Sequence, residues 1–178
     1  MTTGHRSSVE TVPAKVKTLL TPERTAHILK LAKAAKVDRT YDVRGVGNRT
    51  KDGKTVLIDR DLPREMHAGK NFDPASTLPW HEIPEWYLMH DCGVSYEPAH
   101  SAATEYFEKP RVKALGLDWT KYQEGFGPEI AANAKRPMDK FCPDIDRSPY
   151  EEDGDKSALR ELDKARSSRR VHEIIRGG

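Results

Sequence analysis

Apolar residues recur most densely at helical or strand spacing between about residues 21 and 122, and a later stretch offers only the thin stripe of Leu159, Leu162, Val171 and Ile174, so the sequence holds material for one core and no second region of comparable apolar density. Of its 178 residues 36% are apolar and 33% charged, a low apolar share for that length, and packing is expected to fail first at the ends. The expected organisation is a flexible N-terminal arm at 1–18, a single α+β domain at 19–132, and a tail at 133–178 made of an extended segment and a charged helix. The domain should be small and predominantly helical, with a short β-hairpin or sheet.

Local signals place the elements. Thr21-Pro22-Glu23 offers a cap, a first-turn proline and an early acid, and Ile28, Leu31, Ala32 and Ala35 follow at helical spacing, which predicts a helix from Pro22 to about Lys36. Thr55-Val56-Leu57-Ile58-Asp59 is the best strand, and Asp52-Gly53 before it suits a hairpin turn. Ile83, Trp86, Tyr87 and Met89 predict a helix stopping at Asp91-Cys92-Gly93, either kinked at Pro84 or starting near it, because proline has no N–H for the carbonyl of Trp80. A second helix is expected from Glu97 to about Lys109, interrupted by Pro110, and a short third piece before a break at Gly125-Phe126-Gly127-Pro128.

Composition removes several classes of function. Thirty basic and twenty-eight acidic residues leave a formal charge of +2, too balanced to argue for nucleic-acid or membrane-surface binding. The first eight residues lack the apolar run of a secretion signal, and no stretch approaches the ~20 apolar residues of a membrane span. The expectation is a cytoplasmic protein whose two cysteines, Cys92 and Cys142, stay reduced. Gly45-Val46-Gly47 lacks the third glycine of a phosphate loop.

The chemistry-bearing stretch is His81-Glu82-Ile83-Pro84-Glu85 with His100 and Glu105 after it. On one helix His81 and Glu85 lie a turn apart on one face, the spacing at which two side chains clasp one metal ion. Glu82 is rotated by ~100° from His81 and is the candidate general base for a water activated by the metal. Two helices joined by a short loop lie roughly antiparallel, so the second can supply the third ligand. His100 is preferred, with Glu105 as a replacement ligand or as the acid that orients an imidazole. Tyr96 is a candidate phenol donor to a developing oxyanion. Read singly, the two glutamates are also ordinary carboxylates near a helix start.

The order of these features, the strand Val56 to Asp59, a helix with His-Glu, a glycine stop and a second helix offering His or Glu, resembles the minimal zincin metallopeptidases. The run Ile58-Asp59-Arg60-Asp61-Leu62-Pro63, His81-Glu82-x-x-Glu85, Tyr96-x-x-Ala99-His100 and Leu115-Gly116-x-x-Trp119 is similar to uncharacterised bacteriophage and mobile-element proteins, over about residues 56–122. The zincin resemblance implies a zinc-dependent hydrolase acting on peptides. Glu85 stands where zincins carry a second histidine, which opens the site to another divalent metal. The rival expectation is a phage or mobile-element assembly protein that binds partner chains through its terminal arms.

Overall fold

The strand Thr55–Ile58 (β3) carries three apolar residues in a row because both of its faces are covered. Val56 and Ile58 enter the main core with Ile83, Val112, Tyr122 and Phe126, whereas Leu57, pointing the other way, joins Val43, Cys142, Ile145 and Leu162. The computed structural model describes the backbone of residues 12–176 and the side chains of residues 12–166. Within them the fold is α+β and mostly helical. β3 is central in a three-stranded sheet, with β1 (Lys36–Asp38) parallel on one edge and β2 (Gly47–Arg49) antiparallel on the other.

The β2–β3 hairpin turns where the sequence places it. Gly53 donates its N–H to Thr50 O at 2.9 Å and has a φ of +65°. A side chain there would also meet the Trp86 ring, since a Cβ at Gly53 would lie 2.5–2.7 Å from three of its carbons.

Helices cover the main face of the sheet. α1 is the short helix Ala14–Leu19 and α2 spans Pro22–Ala34, capped by Thr21 Oγ, which accepts from Arg24 N at 3.3 Å. α2 ends two residues earlier than its periodicity suggests, because Lys36 already belongs to β1. After a small ribbon of β4 (Met66–His67) and β5 (Asn71–Phe72) and a 3₁₀ turn at Pro74–Ser76, α3 runs from Pro79 to His90 and packs on α2 and on α4 (Tyr96–Ala103). Ala99 and Ala102 of α4, both fully buried, let it approach Leu88 and Met89 of α3 closely.

Three expected interruptions are absent. α3 starts at Pro79 and passes through Pro84, giving up the one bond to the Trp80 carbonyl while N–H groups of His81 and Glu82 both meet Leu78 O at 2.9 Å. At Pro110 the helix continues from α4 through a π turn, Thr104–Glu108, into α5 (Lys109–Ala114), with Lys109 N bonded to Thr104 O. The wider turn leaves a carbonyl unpaired just where proline offers no N–H. α6 runs from Trp119 to Lys135 across Gly125 and Pro128, held by Tyr122 and Phe126, whose rings pack on each other and on Phe72. Burial of these rings outweighs a local propensity loss of about 1 kcal/mol for each glycine.

Much of the expected tail is bound to the body. Arg136 pairs with Asp42 at 2.7 Å and Asp59 at 2.6 Å, and Asp42 accepts N–H groups of Asp139 and Lys140. Residues 144–146 then lie antiparallel along the free edge of β2: Lys51 N bonds Asp144 O and Asp146 N bonds Arg49 O, each at 2.8 Å, around a Thr50–Ile145 bridge. α7 (Ser148–Glu152) and α8 (Lys156–Arg176) follow, with Tyr150, Ala158 and Leu162 buried in the second cluster. At the other end Val12 and Val16 are buried against the α3–α4 pair. The rest of the N-terminal arm, residues 1–11, lies outside the described residues. No helix among the described residues is long and apolar enough to cross a membrane.

Gly53→Ala should destabilise the fold by about 2–3 kcal/mol, since it adds a positive-φ strain to a clash with Trp86. Urea denaturation of the two proteins checks this, and an unchanged midpoint would mean that the turn and Trp86 move apart freely.

Candidate metal centre

The unbroken α3 keeps His81 and Glu85 one turn apart, and α4, lying alongside, brings His100 to them. His81 Nε2 is 3.0 Å from His100 Nδ1, His100 Nδ1 is 2.8 Å from Glu85 Oε2, and His81 Nε2 is 3.3 Å from Glu85 Oε2. These three atoms form a group able to hold a metal ion. The His81 and Glu85 side chains are 10% and 3% exposed and that of His100 is 40% exposed, so the group opens to solvent on the His100 side.

A carboxylate stands behind His81. Glu108 Oε2 accepts from His81 Nδ1 at 3.0 Å, and its other oxygen accepts from the Tyr122 hydroxyl at 2.7 Å. Because an ionised carboxylate only accepts, it holds a ring proton on Nδ1, so that Nε2 is the nitrogen turned towards His100 and Glu85. Burial works against a charge on His81, but Glu108 and Glu85 outweigh it and raise its pKa well above the usual imidazole value. Burial likewise opposes ionisation of Glu108, and its bonds from His81 and Tyr122 reverse that, leaving its pKa lowered.

Glu85 is shared between the two histidines and a buried arginine. Its Oε1 pairs with Arg49 Nη1, while Oε2 faces the histidines. Burial alone would raise its pKa, but the Arg49 charge and the two histidines hold it well below the usual range. Arg49 is 1% exposed; the same Nη1 reaches Glu82 Oε2 at 3.2 Å, and Nε lies 3.2 Å from Asp146 Oδ2. That last contact is Coulombic, since Nε lacks the geometry of a hydrogen bond. Asp146 also accepts from His90 Nε2 at 3.0 Å and from the N–H and hydroxyl of Ser148.

Glu82 has the opposite balance. Burial and the neighbouring Glu85 raise its pKa despite His81 and Arg49. It has room only because residue 47 is glycine, where a Cβ would stand 2.7 Å from Glu82 Oε1. Tyr96 packs its ring on His100 at 5.5 Å between centroids. Burial and the charges of Glu85 and Glu82 push its pKa upward, so the phenol keeps its proton.

The structure thus brings together His81, Glu85 and His100, with Glu82 and Tyr96 beside them, and leaves Glu105 out. Glu105 is exposed and clasps Lys109 at 2.8 Å. The acid that serves His81 is Glu108. Residues 104–108 form a π turn, so α-helical rotation does not carry from His100 to either acid, and spacing along the sequence did not separate Glu108 from Glu105. Arg49, Asp146 and Tyr122 likewise had no signal in the sequence, because only the folded chain brings residues 49, 85 and 146, or 81, 108 and 122, to one place.

The chain matches no protein-family model, no curated protein sequence and no solved structure, so the chemistry of this centre is read from its own geometry.

The charge states set a pH dependence for the metal-free protein. The raised His81 pKa contributes stability that is complete below about 6.5, the unfolded value, and is lost as pH rises through the folded one. The lowered pKa values of Glu85 and Glu108 contribute stability present above about 4.5 and lost as pH falls through their folded values. Urea midpoints measured with chelator present should therefore fall on the alkaline side, and His81→Ala should flatten that limb. An alkaline limb equally steep in the variant would show that His81 is not the group responsible.

Proposed function

We propose that this protein is a metal-dependent hydrolase in which His81, Glu85 and His100 hold a divalent cation. The observation that carries the reading is the convergence of three atoms of ligand type, 2.8–3.3 Å apart, at a half-open point between two helices. Ligands about 2.0–2.1 Å from a tetrahedral zinc ion stand about 3.3 Å from one another, so a small outward shift suits them to zinc. Two nitrogens and one carboxylate oxygen also match zinc, with a hard divalent ion as the substitute.

Charge supports the same reading. Glu82, Glu85, Glu108 and Asp146 face Arg49 and His81, so the four acids, when ionised, outnumber these two cations by two. A divalent cation in place of the His81 proton reduces that excess by one, because two positive charges replace one.

The cation supplies Lewis acidity, polarising a carbonyl and making water more acidic. The protein's own groups do the rest. Glu82, with its pKa raised by burial, is the base that takes a proton from the attacking water and returns it to the leaving amine. Tyr96, protonated and beside His100, donates to the oxygen that gains charge. Glu108 and Tyr122 hold His81 in its ligand tautomer. A peptide bond as the substrate linkage follows from the resemblance to zincin metallopeptidases. The assembly-protein reading has less support, since residues 136–162 are engaged with the body of the same chain.

Elemental analysis of protein purified without an affinity tag should find about one zinc per chain, lost in His81→Ala and in His100→Ala. Glu82→Gln should keep the zinc and lose peptide hydrolysis on the order of 10²–10⁴-fold. Wild-type protein that takes up no metal even when zinc is supplied would end the proposal, and a fully active Glu82→Gln would remove Glu82 from its role.

A further inference from the structure

The segment that follows α6 reaches the metal centre at two points. Asp146 lies on the antiparallel segment paired with β2 and approaches Arg49, whose Nη1 in turn holds the Glu85 oxygen that faces away from the histidines. Six residues later, Glu152 Oε2 accepts the N–H of Tyr96 at 2.5 Å. Tyr96 is the first residue of α4, the helix that carries His100. Two of the three candidate ligands, on two helices, are thus tied to one stretch of chain that is more than forty residues from either in sequence.

We infer that Asp146 is a positioning residue of the metal centre, acting through Arg49 on Glu85, and that residues 144–152 are a built-in component of the centre. The inference rests on the metal-binding reading above. Arg49 is held from two sides: Glu82 and Glu85 at Nη1, and Asp146 at Nε. Asp146 is itself fixed by His90 and Ser148, so its charge cannot swing away. With Asp146 neutral, the guanidinium is drawn further onto Glu85 and Glu82. Glu85 then offers less negative charge to a cation, and its Oε2 loses its set direction. Backbone pairing of residues 144–146 with β2 keeps the arrangement in register, since Asp146 N bonds the carbonyl of Arg49 itself at 2.8 Å. Coupling of this kind is reciprocal: a cation that gains from the docked segment must also tighten its docking.

The test uses the full chain with zinc, titrated against a competing chelator, and with cobalt(II) as a spectroscopic probe of the ligand shell. Asp146→Asn should bind zinc on the order of ten- to a hundredfold more weakly and shift the cobalt absorption bands. Leu62→Ala, which opens a cavity in the other buried cluster and leaves the 144–152 segment seated, should keep both near wild type. Asp146→Asn binding as tightly as wild type, or Leu62→Ala weakening zinc equally, would overturn the inference while leaving the metal site standing. Wild-type protein that binds no zinc would instead overturn the metal reading, and this inference with it. If Asp146→Asn does not fold, hydrogen exchange of the wild type decides. Zinc should slow the Asp146 and Lys51 amides more than the Ala68 amide, which bonds Lys70 O in the turn between β4 and β5, and equal slowing counts against the coupling.

Discussion

Arg49 is a guanidinium almost wholly removed from water, and it keeps its charge because three carboxylates from two distant stretches of chain surround it. Removing one partner from a buried pair of this kind costs about 3–5 kcal/mol, because the charge left behind has no solvent to turn to. The arrangement therefore constrains everything it touches. β2 must lie where Arg49 can enter, α3 must present Glu82 and Glu85 on the sheet side, and the segment after α6 must return to deliver Asp146. A second chain of polar contacts, from Tyr122 through Glu108 to His81, does the same for the other side of the centre.

Between these two networks lie the donor atoms of His81, Glu85 and His100. Each of these side chains has a defined support: Glu108 for His81, Arg49 for Glu85, and the buried alanine face of α4 for His100. Supported side chains with one open side combine rigidity with access. Glu82 and Glu85 show how burial separates neighbouring acids. Glu85 takes most of the stabilisation from Arg49 and the histidines and stays ionised, while Glu82 feels burial and the charge of Glu85 and holds its proton more readily.

The prolines and glycines explain where local reading stopped short. Pro84, Pro110 and Pro128 each lie inside a helix, where intrinsic preference argues for a break. In each case the flanking residues bury apolar side chains, Ile83 and Leu88, Phe107 and Val112, or Phe126, and that burial exceeds the loss of one hydrogen bond. The π turn before Pro110 has a chemical consequence, because it belongs to the stretch that places Glu108 against His81 and leaves Glu105 in solvent.

Periodicity and spacing along the chain determined the mostly helical α+β character, the hairpin at Gly53, and the pairing of His81 with Glu85 on one helical face and with His100 on the next helix. All of these depend on separations of a few residues or on one short loop, and local geometry sets them. Tertiary structure alone decided that Arg49 and Asp146 join the centre, that Glu108 serves His81, and that much of the polar tail folds back onto the sheet. Those contacts join residues some thirty to a hundred positions apart, and what selects them is the energy of compensating buried charge, which no local pattern encodes.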